Sequence, residues 1–143
     1  MALANELISV FVYGTLKPGG VNYPRYCAGA LSQQPAIARG HLYDLPAGYP
    51  AMTAPTDTAF AIYGYRLQFN DPAWLKMLDE LEDYDPLRPR QENEYYRIQV
   101  PLVPTEPRVL GLEPLGTAWV YLMEPWRVQQ MGGKLLPQGR WPA

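Results

Sequence analysis

The sequence predicts an α+β fold, a small mixed β-barrel of about five to seven strands with one main covering helix. Three observations predict it. Five β-type runs are separated by segments containing Pro or Gly, one helical pattern stands between the third and fourth runs, and sixteen prolines limit how much of the chain can be regular. At 143 residues and 48% apolar content, the chain suits one compact domain with a real core.

The strands are predicted at 7–13, 36–45, 59–69, 95–103 and 117–123. The first carries Ile8, Val10, Phe11 and Val12 and stops at Tyr13-Gly14-Thr15-Leu16, ahead of a turn-forming Pro18-Gly19-Gly20. In the fourth, Tyr96, Ile98, Val100 and Leu102 share one face while Tyr95, Arg97 and Gln99 share the other. The fifth, AWVYLM, is apolar on both faces, which places it centrally. Residues 124–143, with Pro125, Gly132, Gly133, Pro137, Gly139 and Pro142, read as an irregular tail that docks through Trp126 and Trp141 or stays mobile.

The helix runs from 72 to about 82, with Asp71 as N-cap and Pro72 in the first turn. With residues about 100° apart and Leu78 at zero, Leu75 falls near +60°, Trp74 near −40°, Leu81 near −60° and Glu82 near +40°. Glu82 therefore sits inside the apolar arc. Lys76, Glu80 and Asp83 point to the solvated side and Asp79 lies on the boundary. A carboxylate on a core-facing stripe is costly unless paired, hydrogen-bonded or protonated. Glu82 is either a functional acid or base, or a terminal residue that rotates out to pair with Arg88, Arg90 or Arg97. A strand ending in glycine likewise either only turns the chain or offers unpaired N–H groups to an anion or a polarised carbonyl.

Other classes are excluded on composition. A net charge of −2 without a basic run argues against nucleic acid, and the four arginines between 88 and 108 are interrupted by acids and prolines. A single Cys27 precludes an internal disulfide and fits a reducing compartment, and with a single His41 it offers no metal-ligand spacing and a poor case for a Cys/His pair. The first six residues lack the character of a signal peptide, and no apolar run approaches the roughly 20 residues of a membrane span. The expectation is a cytoplasmic protein.

Together the motifs resemble the γ-glutamylcyclotransferase-like family, in its short bacterial and γ-glutamylamine cyclotransferase-like form. The strand ends in YGTL (Tyr13 to Leu16), with Gly19 or Gly20 and Asn22 after it. The helix end reads L-D-E-L-E-D-Y (Leu78 to Tyr84), and Tyr95-Tyr96-Arg97 opens a strand. Gly40 to Leu45, Gly48-Tyr49-Pro50 and Ala118 to Tyr121 are similar too. The likeness runs from about 8 to 123, which makes 1–123 the family-like domain.

The resemblance implies a barrel with a cavity at the end of the first strand, Glu82 as catalytic acid–base, and Tyr13, Gly14, Thr15 and Leu16 holding the substrate. It also offers Tyr95, Arg97 and Tyr121 as binding residues, although ordinary sheet packing accounts for them equally well. The implied reaction turns a γ-glutamyl amine or peptide into 5-oxoproline and a free amine, with no metal or organic cofactor. A non-catalytic binder of γ-glutamyl or other amino-acid-like ligands is the alternative. Oligomeric state and the identity of the departing amine are not legible.

Overall fold

The computed structural model describes residues 7–105 and 116–142. The first six residues and Arg108, both weighed above, lie outside them. Among the described residues eight strands form one sheet: β1 (Ile8–Val12), β2 (Ser32–Asp44), β3 (Pro50–Thr53), β4 (Phe60–Phe69), β5 (Tyr96–Pro101), β6 (Val103–Pro104), β7 (Thr117–Leu122) and β8 (Lys134–Leu135). Their order is β3-β2-β4-β1-β7-β5, with β6 and β8 both on β2. The sheet is mixed, because β1 runs antiparallel to β4 and parallel to β7. It curls into a half-barrel with one main helix, as expected.

β-Branched residues and strict alternation explain β1. Val10 and Val12 enter one buried cluster while Phe11 and Tyr13 enter the other, so this one strand joins both halves of the core. The strand predicted to be central, now β7, lies between β1 and β5, with Ala118, Val120, Tyr121 and Leu122 all buried.

In the strands and the tail the structure departs from expectation in three places. β2 starts at Ser32 rather than 36 and runs through Pro35, which pairs with Tyr65 of β4. A proline fits there because its missing N–H faces the edge that β4 does not cover. β3 lay within an expected loop, since a four-residue PAMT strand beside a proline carries no readable period, yet all four residues are buried. The third departure is the tail. It contains α3 (Pro125–Gln130), started by a proline whose absent N–H is no loss in a first turn, and β8, which pairs with Tyr43 and Asp44. Val128 is buried in the core, and Trp141 Nε1 donates to Asp44 Oδ1 at 2.8 Å, whereas Trp126 is 46% exposed.

Two shorter helices, α1 (Tyr23–Tyr26) and α3, accompany α2 (Ala73–Leu81). The start of α2 is one residue later than expected: Pro72 occupies the cap, and Asp71 Oδ1 accepts the Ala73 N–H at 2.9 Å. Leu78 is fully buried, Trp74, Leu75 and Leu81 pack on the same cluster, and Trp74 stacks on Phe69 with ring centroids 5.3 Å apart. The helix then ends on Glu82, which is its C-cap.

Candidate active site

The end of α2 is held by two backbone bonds. Tyr84 N–H donates to Asp79 O at 2.9 Å and Asp83 N–H to Glu80 O at 3.2 Å, with Asp83 in the left-handed region at φ 55°. This is the paired closure usually made by glycine. It stops the helix one residue after Leu81 and so fixes where Glu82 emerges. The chain then loops out to a single helical turn at Arg90–Glu92 and returns. Buried Asn93 closes the loop, accepting the Asp85 N–H at 3.0 Å and donating Nδ2 to Asp85 O at 3.1 Å. Glu94 N–H then donates to Asp83 O at 3.2 Å, which brings Glu94 back beside the helix end.

The loop after β1 faces this helix end across a cavity of about 370 Å³. Lys17 N–H donates to Gly14 O at 3.0 Å, and Asn22 clamps Thr15 twice, through its N–H to Thr15 O and through Nδ2 to Thr15 Oγ1, both at 2.9 Å. No acceptor among the described residues takes the Thr15 or Leu16 N–H. Gly14 is required by a neighbour: a Cβ there would stand 2.6 Å from Pro50 Cγ.

Tyr13, Gly14, Thr15, Leu16, Glu82, Tyr95 and Tyr121 all line the cavity, so seven of the eight residues expected from sequence come together. Arg97 does not. It forms a two-point ion pair with Asp79, Nε to Oδ1 at 2.7 Å and Nη2 to Oδ2 at 3.0 Å, and stacks over Trp119 at 4.3 Å. Arg88 and Arg90, the other partners considered for Glu82, bind Asp83 and Glu124. Among the described residues no side chain donates a hydrogen bond to the Glu82 carboxyl.

The electrostatics follow. Desolvation, then the negative charge of Glu94, raises the Glu82 carboxyl from 4.5 to about 8. The tyrosine hydroxyls are committed as donors: Tyr13 to Tyr121 O at 2.6 Å, Tyr95 to Pro50 O at 2.8 Å, Tyr121 to Asp79 Oδ1 at 2.6 Å, and Tyr49 to Glu94 Oε2 at 2.6 Å. Burial pushes Tyr13, Tyr95 and Tyr121 well above the phenol range, so they stay neutral and can only accept from a ligand. Cys27 is fully buried and its thiol is pushed up to about 12 by desolvation and by Glu82, which leaves it inert.

Among the lining residues, Glu94 is one that the sequence did not single out, and Tyr49 entered there only within the family-like Gly48-Tyr49-Pro50. Glu94 precedes Tyr95 in a polar run, and only the Asn93 closure brings it to the cavity. Among the described residues no group of His, Cys, Asp and Glu is arranged to hold a metal ion, and no helix is long and apolar enough to cross a membrane.

The model of the family described as "Gamma-glutamyl cyclotransferase, AIG2-like" matches residues 10–143, including the tail. No curated protein matches the sequence. The fold is similar to YkqA from Bacillus subtilis (TM-score 0.64, 20% identity), covering 95% of this chain and 40% of that one. It is also similar to an AIG2-like protein from Mus musculus (TM-score 0.62, 19% identity, 82% and 78% of the two chains). A third likeness is to a yeast γ-glutamyl cyclotransferase specific to glutathione (TM-score 0.53, 14% identity, 83% and 69%).

Proposed function

Because the chain belongs to the gamma-glutamyl cyclotransferase, AIG2-like family, we propose that it cyclises a γ-glutamyl amine or peptide to 5-oxoproline and releases the free amine. The observation that carries this reading is the unpaired Glu82 carboxyl, raised to about 8, on a cavity shared with the Thr15 and Leu16 N–H groups.

The substrate holds both reactants. Its α-amine nitrogen attacks its own γ-carbonyl carbon, a five-membered lactam closes, and the bond to the departing nitrogen breaks. Holding the chain in a folded conformer removes much of the entropic barrier, since the groups are already joined. Glu82, deprotonated, takes one proton from the α-ammonium and delivers it to the departing nitrogen, then takes the second proton that the ring nitrogen sheds as the lactam forms and passes it to the freed amine, which leaves as an ammonium. A carboxyl near 8 lies close to an α-ammonium in proton affinity, so neither transfer runs steeply uphill. The backbone N–H groups of Thr15 and Leu16 suit the negative oxygen of the tetrahedral intermediate or the substrate α-carboxylate. Tyr13, Tyr95 and Tyr121 shape the walls and exclude water from the reacting atoms.

A site that only captured the ligand would do better with Glu82 ionised against the α-ammonium, and the unpaired, desolvated carboxyl disfavours that alternative. The test is incubation with a panel of γ-glutamyl amines and dipeptides while 5-oxoproline is quantified. Release of 5-oxoproline with stoichiometric free amine is expected. Saturable binding of the whole panel with no product would replace the enzyme by a binder.

A further inference from the structure

The last described stretch of chain, 134–142, takes no part in the ring closure, yet it reaches the turn that carries the Thr15 and Leu16 N–H groups. β8 lays it along β2, and beyond β8 Leu136 N–H donates to Leu42 O at 2.7 Å while Gly139 O accepts the Tyr63 N–H at 2.8 Å. Gly139 is buried with φ 70°, and a Cβ there would run into the Ala61 carbonyl oxygen, so the chain lies against β4 only because this residue is glycine. The Arg140 guanidinium covers the Tyr63 ring at 3.9 Å, and Trp141 Nε1 donates to Asp44 Oδ1 at 2.8 Å. Leu136 and Trp141 pack on the core cluster that holds Phe11 and Tyr13. Contacts to β2, β4 and the core thus fix where the Trp141 carbonyl stands.

Lys17 Nζ donates to that carbonyl, across 124 residues of sequence. Lys17 is half-buried, and among the described residues no carboxylate pairs with it. A lysine in water keeps its rotamer freedom; this one gives it up for a charge-assisted bond to one fixed acceptor, which makes the contact an anchor. Its place in the chain gives the anchor a role. Lys17 N–H closes the turn on Gly14 O at 3.0 Å, and Lys17 O takes the Gly20 N–H at 2.7 Å, so a shift of Lys17 disturbs both turns. The two N–H groups without an acceptor belong to the residues between Gly14 and Lys17. Asn22 holds the near side of that pair through Thr15, and Lys17 holds the far side.

We propose that the C-terminal stretch positions this turn: the Trp141 carbonyl, gripping Lys17, keeps the Thr15 and Leu16 N–H groups aimed at the negative oxygen they receive, and Lys17 and Trp141 are positioning residues that touch no substrate. The inference rests on the cyclotransferase reading for the use made of those N–H groups. Loosening a donor pair of this kind, without deleting it, costs about tenfold in rate.

Three variants test this. Lys17→Met keeps the apolar stem and removes the donor, Lys17→Arg keeps a donor, and Trp141→Phe keeps the carbonyl while freeing the residue from Asp44. Backbone order parameters come from NMR relaxation without substrate, and 5-oxoproline release is measured on the same chains. In Lys17→Met the order parameters of Thr15 and Leu16 should drop from about 0.85 to below about 0.6, with Val10 and Val12 of β1 unchanged. kcat/KM should fall about tenfold while the melting temperature stays within about 4 °C of native, and Lys17→Arg should recover most of the loss. Trp141→Phe should move both readouts in the same direction by less. The double variant should be no worse than Lys17→Met alone, because Trp141 acts on the turn only through Lys17. A rigid turn in Lys17→Met, a loss of activity matched by a fall in the folded fraction, or additive losses in the double variant would overturn the proposal. A loosened turn in a protein whose native chain yields no 5-oxoproline would uphold the positioning and remove the reaction. Native turnover by Lys17→Met with a rigid turn would do the reverse.

Discussion

Arg97 binds Asp79 and not Glu82. The guanidinium grips both Asp79 oxygens, at 2.7 and 3.0 Å, and Tyr121 adds its hydroxyl to the same Oδ1 at 2.6 Å. Asp79 and Glu82 lie three residues apart near the end of one helix, so pairing the first is what leaves the second without a cation. Asp79→Asn strands Arg97 beside a neutral amide, with only about 17% of its side chain exposed. The expected loss is about 2–3 kcal/mol of stability, read as a lower urea midpoint at unchanged slope.

Asp83 adopts φ 55° to close the helix, a conformation that glycine reaches without strain. Its side chain contributes an exposed bridge to Arg88 at 3.1 Å, which is worth little. Asp83→Gly should therefore be neutral to stabilising, by up to about 1 kcal/mol, with 5-oxoproline formation retained. Thermal denaturation at constant pH reads the sign.

Gly14→Ala would place a methyl group 2.6 and 2.8 Å from the Pro50 ring, at the start of β3 and next to Tyr49. Overpacking of this kind costs about 1–3 kcal/mol. Stability and ligand affinity should fall together, since the same shift moves the cavity wall. Paired melting and binding measurements distinguish this from a purely local steric block, which would lower affinity alone.

Much of this was legible in the residues. Period-two apolar runs marked the main strands, and a 100° projection put Glu82 among Leu75, Leu78 and Leu81, because helix faces are set by local geometry. Arg97 stayed open between the site and sheet packing because its partner depended on where Asp79 fell, and a boundary position on the helix does not fix that. Glu94 was missed, and Tyr49 was quoted without a role, because the two meet across 45 residues, through a loop that Asn93 closes. The tail's helix and strand escaped notice because six- and two-residue elements carry too few periods, and β8 exists only by pairing with β2.

Titration of Glu82 gives a pH dependence with a definite sign. Its carboxyl is near 8 in the fold against 4.5 unperturbed, so the folded state holds the extra proton between those values. Stability should fall as pH rises through that window and level off above it. A full shift of this size corresponds to about 5 kcal/mol, and solvent in the cavity reduces it to on the order of 2 kcal/mol. Glu82→Gln should lack this slope. For catalysis the sign is opposite, since only the deprotonated form is a base: kcat/KM should rise with pH through about 8. Glu94→Gln, by removing the second cause of the shift, should move that rise to lower pH.

The central claim is that Glu82 carries the proton during ring closure. The most direct measurement is 5-oxoproline release by Glu82→Gln beside the native chain, with calorimetric binding of the same γ-glutamyl substrate to both. Gln keeps the shape and removes the base, so turnover should fall by about 10²–10⁴ while affinity stays within a few-fold. A Glu82→Gln protein that forms 5-oxoproline at the native rate would contradict the account and leave the carboxyl at the end of α2 without a catalytic part.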